Sequence, residues 1–130
     1  MTKGDTFSHD FVVDARIYQG FMDLFEDRNP LHTETRFALA RGFRAEVMHG
    51  NILGGFLSYF VGECLPIKSV VLQTQEIRYL KPVYLNDKVR LTASVDERFD
   101  SVGVVEFKFH FENANGTMLA KGKMTVGLLP

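Results

Sequence analysis

Two hydrophobic periods divide the chain on either side of Pro66. Upstream of it, Thr6 to Val13 reads as a modest strand with Phe7, Phe11 and Val13 among polar residues. Ile17, Tyr18, Phe21, Leu24 and Phe25 then recur at helical spacing, which predicts an amphipathic helix capped by Asp14. Pro30 disfavours helical geometry at Asn29, so this helix is expected to end by Asp27 or Asn29. Thr33 is the predicted cap of a short second helix through Phe37, Ala38 and Leu39 that stops near Gly42, and Phe43 to Met48 is a connector. Asn51 to Leu65 is apolar nearly all round, which predicts a helix buried on most sides. Gly54, Gly55 and Gly62 would let a sheet approach it closely, and Pro66 ends it.

Downstream the period is two. Val70 to Leu80 is rich in β-forming residues, and Val89, Leu91, Ala93 and Val95 alternate with polar partners, as do Val105, Phe107, Phe109 and Phe111. Met118, Ala120, Gly122, Met124, Val126 and Leu128 take the core-facing places of a last strand, and Asn115-Gly116 and Asp100 to Gly103 are turn signals. The expected order is therefore strand, helices, one buried helix, then four long strands in a meander. A single apolar helix and an antiparallel sheet bury one another when the sheet wraps the helix. This is an α+β class, a hot-dog fold, with short extra helices carrying the Asp27–His32 loop. Its unpaired sheet edges predict a homodimer or a higher homo-oligomer.

Composition narrows the function classes. The 130 residues make one domain, 1–130, and a net charge of −1 gives no basis for a nucleic-acid or membrane partner. A single cysteine, Cys64, excludes an internal disulfide. The polar start Met1-Thr2-Lys3-Gly4-Asp5 lacks a signal-peptide pattern, and Ile52 to Gly62 is shorter than the roughly 20 residues a membrane span requires. A cytoplasmic location is expected. His9, His32, His49 and His110 have no metal-ligand spacing, so no metal site is expected.

Two places offer chemistry. Asp27 and His32 flank a turn stiffened by Pro30, where a carboxylate and an imidazole can hold one water and move a proton. The same Asp27, Asn29 and Pro30 also suit a plain turn between helices. At His49-Gly50 a helix begins, presenting unpaired N–H groups and the positive end of its dipole to a carbonyl oxygen, with no Gly50 side chain in the way. A simple loop-to-helix glycine fits that spot as well. Ser58 lies further along this helix, reaching a site or bonding back to the Gly54 carbonyl.

Asp27-Arg28-Asn29-Pro30-Leu31-His32, Ala38, His49-Gly50, Ser58, Tyr79-Leu80-Lys81-Pro82-Val83 and Asp87 together resemble the MaoC-like (R)-specific enoyl-CoA hydratases, over roughly Phe25 to Val95. The resemblance implies a hot-dog homodimer that reversibly hydrates a trans-2-enoyl thioester to the (3R)-hydroxyacyl form. It implies Asp27 and His32 as the catalytic pair and Gly50 as the N–H donor to the thioester oxygen. Asn29, His49, Asn51 and Ser58 become substrate-side candidates, with Asn29 also helping to hold the loop. No cofactor is implied beyond the coenzyme A or acyl-carrier-protein thiol of the substrate, for whose phosphate Arg36, Arg44, Lys68 and Lys81 are candidates. The family's usual Ser-Gly before the aspartate is replaced here by Phe25-Glu26, and Asn51 stands where an apolar residue is common. A hot-dog thioesterase and a non-catalytic acyl-thioester-binding subunit are the competing readings.

Overall fold

A computed structural model describes all residues 1–130. Strand β1 (Thr6–Val12) leads into helix α1 (Ala15–Phe25), two short helices α2 (Pro30–Thr33) and α3 (Thr35–Ala40), and helix α4 (Asn51–Tyr59), which runs on as a single π-helical turn through Phe60–Cys64. Four strands follow: β2 (Val70–Tyr79), β3 (Lys88–Phe99), β4 (Val104–Asn113) and β5 (Met118–Leu128). They form one antiparallel sheet in the order β1-β3-β4-β5-β2. The apolar side of α4 (Ile52, Leu53, Phe56, Leu57) and the following Phe60 and Val61 join Val89, Leu91, Val105, Phe107, Phe111 and Met124 of the sheet in one continuous core. Fully burying each such side chain contributes about 1.5–3 kcal/mol, and this contact fixes the helix across the sheet. The architecture is the expected hot-dog arrangement.

The topology departs from a four-strand meander. β3, β4 and β5 are joined as hairpins, but β2 pairs with β5 on the far side, and β3 pairs with β1. The link from Leu80 to Asp87 therefore crosses beneath the sheet end. The N–H groups of Leu80 and Lys81 donate to the Leu119 carbonyl, Met48 N–H to the Val83 carbonyl, and Val13 N–H to the Asp87 carbonyl. Eight residues reach about 26 Å when extended, enough to pass the roughly 14 Å of three strand spacings. Loop length alone thus permits either path, and the tertiary contacts select the crossing.

Three local expectations also change. Thr33 does not cap the helix through Phe37, Ala38 and Leu39: it is the last residue of the extra helix α2, which Asn29 caps with Pro30 at its first position, and Glu34 takes the cap position of α3. Thr33 instead bonds back to the Asn29 carbonyl at 3.2 Å, and α3 starts separately after an extended Glu34. Helix α4 is buried on one side only: Asn51, Gly55, Ser58, Tyr59 and Gly62 form an exposed strip, and Gly55 and Gly62 have no neighbour where a Cβ would stand. The close approach occurs in β5, where a Cβ on Gly122 would lie 1.8 Å from the Glu76 carbonyl oxygen of β2. In β5 the shift between Phe111 and Glu112 buries Leu119 and leaves Met118 40% exposed.

Candidate active site

Helix α1 ends on Glu26, which adopts a left-handed conformation (φ 61°, ψ 18°) and donates its N–H to the Met22 carbonyl. That turn delivers Asp27 to the edge of the α1–α4 groove. The Asp27 carboxylate accepts from the Asn29 N–H at 3.2 Å, and the Asn29 side chain accepts from Leu31 N–H at 3.0 Å, so the loop is stitched to itself before α2 begins. The His32 carbonyl accepts the Tyr18 hydroxyl at 2.6 Å, which ties α2 to α1. Burial raises the Tyr18 pKa, and the hydroxyl keeps its donating proton.

The His32 ring is oriented by the backbone. Its Nδ1 lies 2.7 Å from the Val47 carbonyl oxygen, and since a carbonyl only accepts, Nδ1 carries the proton. In the neutral ring Nε2 is then a bare acceptor, 3.6 Å from a carboxylate oxygen of Asp27. Two acceptors at that separation do not bond to one another. A water donating one hydrogen to each satisfies both, and is thereby polarised toward hydroxide.

His49 stands behind this pair. It is 4% exposed, its Nε2–H donates to the Asp27 carbonyl at 2.8 Å, and its ring stacks on His32 with centroids 3.9 Å apart. Phe21 covers it at 4.7 Å, and its Nδ1 has no partner. Asp27, His32 and His49 bring one ligand atom each within 4.8 Å, a grouping the sequence spacing did not reveal. His49 Nε2 and His32 Nδ1 are occupied by carbonyls, which leaves the Asp27 carboxylate, His32 Nε2 and the buried, unpartnered His49 Nδ1 as the unbonded acceptors of the cluster.

Gly50 follows His49 directly and caps α4. Its N–H makes no hydrogen bond within the chain, whereas its carbonyl and that of His49 already accept from Leu53 and Ile52. The free donor sits at the positive end of the helix dipole, beside the residue that braces Asp27 and His32. Tyr79 walls it: a Cβ on Gly50 would meet the Tyr79 ring at 3.0 Å. The Tyr79 hydroxyl is 3.4 Å from Asn51 Oδ1, and desolvation raises its pKa.

A groove of about 910 Å³ opens between α1 and α4, with Asp27, Asn51 and Ser58 on its walls. Asn29 and His49 do not line it, and neither do His32 and Gly50; the Asn29 side chain accepts from Leu31 N–H and the His49 ring donates to the Asp27 carbonyl, so both hold the loop. Ser58 is exposed on α4 and makes no bond back to Gly54. Of the cationic candidates, Arg44 lies over the Tyr84 ring at 3.8 Å and 3.7 Å from Asp87, and Lys68 donates to the Glu63 carbonyl at 2.9 Å. Sequence reasoning passed over the Val47 carbonyl, Tyr18 and Gln75. A backbone acceptor has no residue signature, and Gln75 reaches the groove from a strand far along the chain.

No helix is long and apolar enough to cross a membrane. The (R)-specific enoyl-CoA hydratase of Aeromonas caviae is 27% identical over 108 residues, covering 83% of this chain and 81% of that protein. A second (R)-specific enoyl-CoA hydratase, from Rhodospirillum rubrum, is 28% identical over 106 residues, covering 82% of this chain and 73% of its own. Among solved structures, the (R)-hydratase from A. caviae involved in PHA biosynthesis superposes with a TM-score of 0.90 at 25% identity, over 100% of this chain and 98% of that one. The family model described as the MaoC like domain matches residues 9–111, a span holding the Asp27–His32 loop, the Gly50 helix start, β2 and β3 whole and most of β1 and β4, and the chain belongs to that family.

Proposed function

We propose that this protein catalyses the reversible hydration of a trans-2-enoyl thioester to the (3R)-hydroxyacyl thioester. The observation that carries the reading is the pair of acceptors, His32 Nε2 and the Asp27 carboxylate 3.6 Å apart, together with the unbonded N–H of Gly50, the residue after the His49 that stacks on His32 and bonds the Asp27 carbonyl. The thioester oxygen accepts from Gly50 N–H, which stabilises the enolate-like charge that develops as Cβ is attacked. The water held by Asp27 and His32 adds its oxygen to Cβ while one of its protons passes to an acceptor of the pair. A proton returns from the same side to Cα, so one water is consumed and no electrons are exchanged. Dehydration is the same sequence in reverse. The (R)-specific hydratase relatives, matched over most of their length, support this reaction class.

The substrate is an acyl thioester of coenzyme A or of an acyl-carrier protein, and the working unit is a homodimer. The outer edge strand β2 supports the latter: Val71 is 45% and Tyr79 47% exposed, on a ten-residue strand with a free ladder edge. Incubation with crotonyl-CoA, followed by loss of the enoyl absorbance and chiral assignment of the product, tests the reaction. Formation of (3R)-hydroxybutyryl-CoA is expected. Free thiol release without hydration would instead select a thioesterase, and tight binding with neither reaction would select a binding subunit.

A further inference from the structure

The α1–α4 groove has two unlike walls. Helix α1 presents mainly apolar side chains, Phe21 and Leu24 among them, whereas α4 presents Asn51, Gly54, Gly55 and Ser58, three and four apart on one face, beside the apolar Ile52 and Phe56. Gln75 reaches in from β2. Its amide nitrogen lies 3.5 Å, and Asn51 Oδ1 4.0 Å, from the point where a Cβ on Gly54 would stand, so two amides flank one spot above bare backbone. The Gln75 side chain bonds to nothing in the chain, and Asn51 Oδ1 receives only the 3.4 Å contact from Tyr79.

The direction of the groove follows from what lines it. Asp27 is on its wall, but His32 and Gly50 are not. Asn51, the residue after Gly50, shares the groove wall with Asp27, so with the thioester oxygen at Gly50 N–H and Cβ at the water held by Asp27, an acyl chain that runs on along α4 passes Asn51, Gly54 and Gln75. An aliphatic chain laid there strips water from both amides and returns no hydrogen bond, a penalty of about tenfold or more for each group.

We infer that Asn51 and Gln75 set the acyl specificity of this protein, restricting it to short acyl groups that end before these two amides. The inference rests on the hydratase reading and names its substrate class. The test is kcat/KM for crotonyl-, hexenoyl-, octenoyl- and dodecenoyl-CoA with the wild type, Asn51→Met, Gln75→Leu and the double variant, each checked for folding by circular dichroism. The wild-type value is expected to fall by about tenfold or more from crotonyl- to dodecenoyl-CoA, and the double variant to close most of that gap. Equal or faster turnover of dodecenoyl-CoA by the wild type overturns the inference, as does an unchanged ratio in every folded variant. Absence of turnover with all four substrates refutes the hydratase reading instead. Calorimetric binding of butyryl- and dodecanoyl-CoA then decides this one: tighter butyryl-CoA supports it, and tighter dodecanoyl-CoA overturns it.

Discussion

Replacing Glu26 by glycine is expected to stabilise the protein at the residue that aims Asp27 into the groove. Glu26 ends α1 at φ 61° and ψ 18°, where an L side chain costs roughly 1–2 kcal/mol through the crowding of its Cβ. Glycine removes that crowding but brings greater unfolded-state freedom, worth about 0.5–1 kcal/mol against it. The net expectation is a gain of about 0.5–1 kcal/mol, or about 2–4 °C in Tm for a domain of this size. A carboxylate at the negative end of a helix dipole is also unfavourable, by about 0.3–1 kcal/mol at an exposed position. Glu26→Gln separates the two effects, because it removes the charge and keeps the Cβ. Thermal unfolding of the wild type, Glu26→Gln and Glu26→Gly at one protein concentration is the assay, since oligomerisation makes Tm concentration-dependent. The glycine variant must unfold at a higher temperature than the glutamine variant. Equal midpoints, or a lower one for glycine, would refute the conformational account of this turn.

Two other glycines give predictions of opposite kinds. Gly50→Ala places a Cβ 3.0 Å from the Tyr79 ring beside the free N–H, so turnover of crotonyl-CoA should fall by about tenfold or more while Tm changes little; steady-state kinetics and calorimetry together check it. Gly122→Ala drives a Cβ into the Glu76 carbonyl and must break the β2–β5 ladder, so a loss of about 3 kcal/mol or more is expected in denaturant unfolding, or no soluble protein at all.

Much of this architecture is legible in the residues because one local rule settles each part. Alternation in β3 and β4 gives their buried faces, Val89 to Val95 and Val105 to Phe111, and Pro30 keeps Asn29 out of helical geometry, although α1 has already ended on Glu26. Asp27 and His32 are legible as a pair through the resemblance of Asp27-Arg28-Asn29-Pro30-Leu31-His32 to the MaoC-like pattern, since the proline-stiffened turn alone also suits a plain connector. What is not legible depends on groups without sequence identity or on distant chain. The tautomer of His32 is set by the Val47 carbonyl, and the brace on Asp27 is its own carbonyl bonded to His49. The partner of β2 is decided by the crossing link at Leu119, Val83 and Asp87, and its hydrophobic pattern suits either neighbour. Glu26 occupies a left-handed turn that its own preference argues against, and only the MaoC-like glycine at that position signals it.

The most direct test compares crotonyl-CoA hydration by the wild type and Asp27→Asn. The substitution keeps an oxygen to accept from Asn29 N–H but turns the group facing His32 Nε2 into a donor or removes its charge, so the water loses one of its two acceptors. The account predicts measurable wild-type hydration and a loss of about a hundredfold or more in the variant with the fold intact. Hydration by Asp27→Asn at the wild-type rate would contradict it.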